Sequence, residues 1–224
     1  MTEAVLFDWD GTLLDSREAL LSAWHAASAE ALGRRFPATP EEEQVIFTQP
    51  GSRAFPHAAG DPERAELLAA AFQRAYESSG RLVRAFPGVV KMLTHLREAG
   101  PRVAVVTSKS RTRYEVDAER IGVLGLVDAA VCQEDCPVHK PDPAPVLLAL
   151  ERLGAEPAKA VMVGDTPVDL GAGAAAGTAV VGVSWGASGR GALIEAGAAA
   201  VAGSAEELVG LILQTGCRSE MIAS

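Results

Sequence analysis

Asp8 and Asp10 stand one residue apart at the end of the apolar run Ala4 to Phe7, and Gly11 follows them at once. Two like charges this close at the end of a buried strand are costly. Burial pushes one carboxyl pKa up, whereas a divalent cation beside them lets both stay ionised or lets one serve as a proton donor. Nucleophilic and general acid–base catalysis both use such a pair. Asp and Gly are also ordinary turn formers, so an isolated Asp-x-Asp-Gly reads first as a turn capping a strand. What decides between the two is which other segments reach the same place.

Ala4 to Phe7 has strand composition, and from Arg84 onward strands and helices alternate. Strands are expected at Val103 to Val106, Val127 to Cys132, Ala160 to Val163 and Ala179 to Val183. Helices are expected near Gly88 to Glu98, Thr112 to Ile121, Pro143 to Leu153 and Val168 to Ala176. Short connections between such elements predict an α/β fold, a Rossmann-like doubly wound parallel sheet covered on both faces. Ligands of such sheets sit beyond the carboxyl ends of the strands, where the strand order reverses. Asp8, Thr107 and Asp165 each end a predicted strand, so three distant segments converge on one crevice.

Between the first strand and the rest of that core, residues 16–82 hold helices and no strand candidate. Leu20, Leu21, Trp24, Ala27, Ala31 and Leu32 recur at helical spacing, and Gly33 supplies a stop. Thr39-Pro40-Glu41-Glu42 announces a second helix with Glu42 completing a capping box, and Asp61-Pro62 a third that carries Leu67, Leu68, Ala71, Phe72, Ala75 and Tyr76 on one side. Thr48 to Arg53 reads as a solvated turn with one cation, and His57 as a loop residue. His25 and His95 fall singly within helices.

The stretch DWDGTLLDS from Asp8 to Ser16 resembles the first motif of the haloacid dehalogenase superfamily, and three further motifs follow in the family's order. They are Thr107 in VVTSKS, Lys140 in HKPDP, and Gly164-Asp165 with Asp169 in VMVGDTPVDLGAGAAAG. Val183-Ser184-Trp185-Gly186 also resembles the phosphoglycolate phosphatase-like branch. The resemblance implies a core of residues 1–15 and 84–224 and an inserted helical cap of residues 16–83. It implies Asp8 as nucleophile, Asp10 as the acid and base, and Thr107 with the Ser108 amide on the phosphoryl oxygens. Lys140 would neutralise charge beside Asp8. Mg2+ would be held by Asp8, the Asp10 carbonyl and Asp165, with Asp169 assisting, and Arg53 would meet a second anionic group of the substrate. Lys109 is expected to be a solvated charge, and Trp9 to be wedged against the sheet.

Composition narrows the partners. With 48% hydrophobic and 22% charged residues the chain has the make-up of a soluble globular protein, and its formal net charge of -9 disfavours nucleic acid and anionic membranes. No spanning segment or leader is read, so a cytoplasmic protein, monomer or homodimer, is expected. Cys132, Cys136 and Cys217 lack a second ligand pair at zinc spacing and read as reduced thiols. The small-residue run Gly171 to Gly177 lacks the Walker lysine and reads as a helix packed tightly on the sheet.

Within the superfamily, dehalogenases lack the second aspartate that Asp10 supplies here, and the phosphomutase branch carries a cap histidine where this chain has Leu20. Both departures favour water as the phosphoryl acceptor. The expected function is Mg-dependent hydrolysis of a small phosphorylated metabolite, with 2-phosphoglycolate first. Inorganic pyrophosphate is the alternative, on the Thr-Ser-Lys form of the second motif and the KPDPAPVL segment. A sugar phosphomutase and a non-enzymatic binding protein come behind them.

Overall fold

The computed structural model describes residues 2–49 and 51–218. The chain divides into two compact units, Met1–Asp15 with Arg84–Ser224, and Ser16–Val83. In the first unit the strands β1 (Ala4–Phe7), β4 (Arg102–Val106), β5 (Ala129–Val131), β6 (Ala160–Gly164), β7 (Ala179–Val183) and β8 (Ala200–Ala202) form one sheet in the order β5-β4-β1-β6-β7-β8. Every pairing is parallel. The short strands β2 (Leu14–Asp15) and β3 (Arg84–Ala85) pair antiparallel where the chain leaves this unit and returns to it.

The sheet is apolar on both faces, as all-parallel sheets must be. All four residues of β1 are fully buried. Ala4 and Leu6 join Ala104, Val106 and Met162 in a core completed by Val146, Ala149, Leu150 and Leu153 of α7 (Ala144–Leu153) and by Leu170 and Ala172 of α8 (Pro167–Ala175). On the alternate residues, α5 (Val89–Ala99) packs against β4, and α10 (Ala205–Arg218) against α5 and β8. The small-residue helix is as tight as its composition suggests, since a Cβ on Gly173 would lie 2.5 Å from Met162 Cβ.

The chain runs from β1 to its neighbour β4 and on to β5, then returns to the other side of β1 as β6. The order therefore reverses between β1 and β6. Phe7 pairs with Val105 on one side and Val163 on the other, so Asp8 emerges at this switch point.

The second unit is all helical: α1 (Arg17–Leu32), α2 (Pro40–Thr48), α3 (Gly51–Ala59) and α4 (Pro62–Ser79). Gly33 ends α1 in the left-handed conformation, with φ 69°, and Thr39 and Asp61 accept the capping N–H groups of Glu42 and Arg64. Glu42 turns back to the Ala38 amide and not to that of Thr39, so the expected capping box is displaced by one residue. Trp24 is the centre of the apolar interior, with Phe36, Phe55 and Phe72 at ring distances of 5.6, 4.8 and 5.3 Å.

The expected turn through Arg53 and the loop at His57 are corrected here. Gly51 to Ala59 is helical despite Pro56, because Ala54, Ala58 and Phe55 are drawn into that aromatic interior and packing outweighs a local breaker. Leu67 is exposed, unlike its neighbour Leu68. The α9 helix (Arg190–Glu195), β8 and α10 were not foreseen from the sequence. The expectation that the chain frays from Thr215 meets a helix that continues to Arg218; residues 219–224 lie outside the described residues. Among the described residues no helix is long and apolar enough to cross a membrane.

Candidate active site

Beyond β1 the chain turns sharply. The Trp9 carbonyl accepts N–H groups from Thr12, Leu13 and Leu14, and the Gly11 amide donates to Leu14 O. Gly11 takes φ +88°, and a Cβ there would lie 2.2 Å from Asp165 Oδ2, so conformation and contact both require glycine. Asp8 is held by its own N–H, which donates to Val163 O at 2.9 Å. Trp9 is fully buried and meets the Tyr114 ring of α6 (Arg111–Arg120) edge-on at 4.9 Å.

Lys140, from the segment before α7, is the hub. Its buried Nζ donates to Asp8 Oδ1 at 2.5 Å, to Asp169 Oδ1 at 2.6 Å and to Val106 O at 2.9 Å. Burial opposes its charge, but the two carboxylates outweigh burial and raise the ammonium pKa. Asp169 is also the third residue of a true capping box on α8. Its Oδ2 accepts the Thr166 amide at 3.1 Å and hydroxyl at 2.5 Å, while its own amide donates to the Thr166 hydroxyl. A Cβ on Gly164 would lie 2.2 Å from Asp169 Cβ, which fixes glycine in the fourth motif.

Asp165, at the end of β6, accepts the Thr12 hydroxyl on Oδ1 at 3.1 Å and the Ala187 amide on Oδ2 at 2.7 Å. Gly186 packs so closely that a Cβ there would sit 2.3 Å from Asp165 Oδ2 and 2.4 Å from Gly11 O. The Trp185 indole N–H donates to Thr12 O and ties this loop to the turn after β1.

Asp8, Asp165 and Asp169 are buried and bring one carboxylate oxygen each within 4.8 Å of one another. Burial, then Asp169 and Asp165, raise the Asp8 pKa well above the carboxylate range, against the pull of Lys140. Burial followed by Asp169 pushes Asp165 up to about 7. Three aspartates facing one lysine leave two negative charges uncompensated when all are ionised. An all-oxygen donor set with that deficit fits a hard divalent cation. Lys140 and Thr166 engage the oxygens of Asp169, and Thr12 and Ala187 those of Asp165, so each carboxylate is oriented by its neighbours.

Thr107 follows β4, buried, and its Oγ1 accepts the Lys109 amide at 3.0 Å, which leaves the hydroxyl proton to be donated elsewhere. Ser108 is exposed beside it. Asp10 keeps 29% of its side chain exposed. Arg53 is exposed on the first turn of α3, in the helical unit.

Lys109 departs from expectation. Its side chain is only 6% exposed, and Nζ lies 2.9 Å from Asp10 Oδ1 and 2.8 Å from Asp117 Oδ2. A lysine so far withdrawn is costly unless partners compensate it, and two carboxylates meet this one. Sequence reading also missed Thr12, Thr166 and Gly186, though the Thr-Pro-x-Asp of Thr166 to Asp169 is a legible cap signal. Cys132 and Cys136 are buried free thiols, and burial pushes Cys132 up to about 11. The Cys217 side chain lies outside what is described.

The profile of haloacid dehalogenase-like hydrolases matches residues 5–183. A pyrophosphatase PpaX from Bacillus velezensis is 33% identical over 183 residues, 81% of this chain and 83% of the relative. An N-acetylmuramic acid 6-phosphate phosphatase from Pseudomonas aeruginosa is 32% identical over 189 residues, 82% of each chain. Among solved structures, a protein provisionally assigned as a phosphoglycolate phosphatase, from Lactobacillus delbrueckii, superimposes with a TM-score of 0.81 at 26% identity, covering 94% of this chain and 98% of its own.

Proposed function

This chain belongs to the haloacid dehalogenase-like hydrolase family and is a hydrolase of its phosphatase kind, and on that premise we propose that it hydrolyses a small phosphorylated metabolite through an aspartyl-phosphate on Asp8. The observation that carries the reading is the Lys140 bridge from Asp8 to Asp169. An ammonium on one oxygen of Asp8 leaves the other to attack phosphorus and offsets the charge of the approaching phosphoryl group.

In the first step Asp8 forms a bond to phosphorus while the ester P–O bond breaks, and the Asp10 carboxyl gives its proton to the leaving oxygen. Water then attacks the phosphorus of the acyl phosphate, Asp10 takes its proton, and phosphate leaves with Asp8 restored. Thr107 donates its hydroxyl to a phosphoryl oxygen, together with the Ser108 amide. Mg2+ is the cation we assign to Asp8, the Asp10 carbonyl and Asp165, with Asp169 beside them; when bound it screens the phosphoryl charge. The helical unit, residues 16–83, is assigned the part of a cap, and Arg53 that of a contact for a second anionic group on the substrate.

The first substrate is 2-phosphoglycolate. Inorganic pyrophosphate is the second reading, favoured by the relative named a pyrophosphatase over 81% of this chain. Phosphate release from a panel holding both, with sugar phosphates, tests the proposal in magnesium, in chelator and with Asp8→Asn. Activity confined to the magnesium arm of the unaltered protein is expected. Release that survives Asp8→Asn overturns the covalent step, and phosphate retained on an organic acceptor points to a mutase.

A further inference from the structure

Lys109 is used by none of the steps above, yet it is built into the same edge of the sheet. Its backbone is pinned on both sides: its amide donates to Thr107 Oγ1 and its carbonyl accepts the Gln133 amide at 3.0 Å. Its side chain passes inward to end between Asp10 and Asp117. Asp117 stands on α6 with its side chain 3% exposed, and Arg120 Nη1 lies 3.6 Å from its other oxygen. Ordering a lysine stem forfeits rotamer entropy, and burying its charge is costly unless partners compensate.

A fold-stabilising ion pair would be complete with Lys109 and Asp117 alone. The second contact reaches from the turn after β4 to the turn after β1, and it ends on Asp10, the residue read above as the acid. Asp10 is also the more exposed partner, at 29% against 6% and 3% for the two groups behind it. The three thus run from a fixed interior anchor to a carboxylate at the surface of the site. Proton transfer depends on that carboxyl meeting the leaving oxygen in line, and small misplacements of a reacting group are costly.

We infer that Lys109, itself held by Asp117, is a positioning residue that fixes the Asp10 carboxylate for proton transfer to the leaving group. This rests on the reading of Asp10 as the acid.

The test compares kcat/KM for an alkyl phosphate, whose leaving oxygen must be protonated, with that for p-nitrophenyl phosphate, whose leaving group departs without help. Lys109→Met keeps the stem and removes the charge. It is expected to lower kcat/KM about 10- to 100-fold on the alkyl substrate and less than about 3-fold on the aryl one. Asp117→Asn, which loosens the anchor and keeps the lysine, should show the same selectivity more weakly, and Lys109→Arg should recover part of the loss. If Lys109→Met folds poorly, the paired Lys109→Met with Asp117→Leu replaces the buried charges together and answers the same question. Equal losses on both substrates, or none, overturn the inference. Asp10→Asn separates the two layers of the argument. Selectivity there without selectivity at Lys109 defeats only the positioning role, whereas an Asp10→Asn that is unselective removes the acid and the inference with it.

Discussion

Lys140 and Lys109 invite comparison, since each is a lysine withdrawn from solvent and lodged between two aspartates from separate segments. Their surroundings differ in charge. Around Lys140 stand Asp8, Asp165 and Asp169, all buried, so one positive charge answers three negative ones. Around Lys109 stand Asp10 and Asp117, with Arg120 on the far oxygen of Asp117, so cations and carboxylates alternate. The first group has room in its charge for a divalent cation, and in the second each of these two carboxylates meets a cation of the chain. One end of a sheet can therefore hold both a group of carboxylates suited to a cation and a lysine lodged between two aspartates.

Removing each lysine breaks this comparison most directly. Lys140→Met leaves Asp8 and Asp169 buried without their ammonium, which we expect to lower kcat/KM by about 10^3 or more on every substrate. Chemical denaturation in chelator should show a loss of about 3–5 kcal/mol from the uncompensated charge. A Lys109→Met variant that cost as much on every substrate would erase the distinction.

Stability against pH gives the next largest effect. Burial and Asp169 raise Asp165 from an ordinary 3.8 to about 7, and Asp8 moves the same way. A carboxyl whose folded pKa is raised stabilises fully below its unfolded pKa and loses that contribution as pH climbs through the folded one. Lys140 rises from an already basic value, and Asp135 is depressed to about 2, so neither titrates in this window. Burial opposes the Asp135 shift, but hydrogen bonds from Arg152, the Cys132 amide and Arg111 outweigh it. In chelator the melting temperature should therefore fall between about pH 4 and about pH 7. Magnesium should hold the carboxylates ionised and widen its stabilising effect as pH rises. Parallel curves in the two media would show that these carboxylates do not share a cation.

The residues around Lys140 were legible in the sequence, as was Asp10, whereas the contacts of Lys109 were not, for a physical reason. Asp8, Lys140, Asp165 and Asp169 stand in short motifs whose order can be read, and the strand ends that present them follow from apolar runs and glycine stops. Lys109 sits beside Thr107 with nothing in its type or spacing to reveal that α6 brings Asp117 beneath it. Charge on a helix reads as solvated until the packing is known, and Asp117 is buried by tertiary structure alone. Gly51 to Ala59 went unread in the same way, since only Trp24 across the unit explains why a segment with Pro and Gly is helical. Thr12 and Gly186 support Asp165 from positions whose roles appear only when two loops meet.

Gly186 sharpens the contrast at a smaller scale. Gly186→Ala drives a methyl into Asp165 Oδ2 and Gly11 O, so the Asp165 carboxylate or the turn after β1 must shift. Calorimetric titration with magnesium should show affinity lowered about 10-fold or more, as expected when support around a ligand is disturbed. Gly191→Ala on α9 meets nothing within 4 Å and should leave that affinity unchanged.

The smallest effect is expected at Arg120. Its guanidinium stands behind Lys109, but it is 40% exposed and its nitrogen stands 3.6 Å from Asp117. Screened by water at that distance, the pair contributes less than about 1 kcal/mol, and salt should shrink the contribution further. Arg120→Gln should therefore shift denaturation only slightly and leave the ratio of alkyl to aryl kcat/KM where it was. If that ratio moved as far as it does with Lys109→Met, the hold on Asp10 would depend on the charge of the whole group. An unmoved ratio assigns the hold to the Lys109 contact itself, because distant compensation can change while the ammonium stays lodged between Asp10 and Asp117.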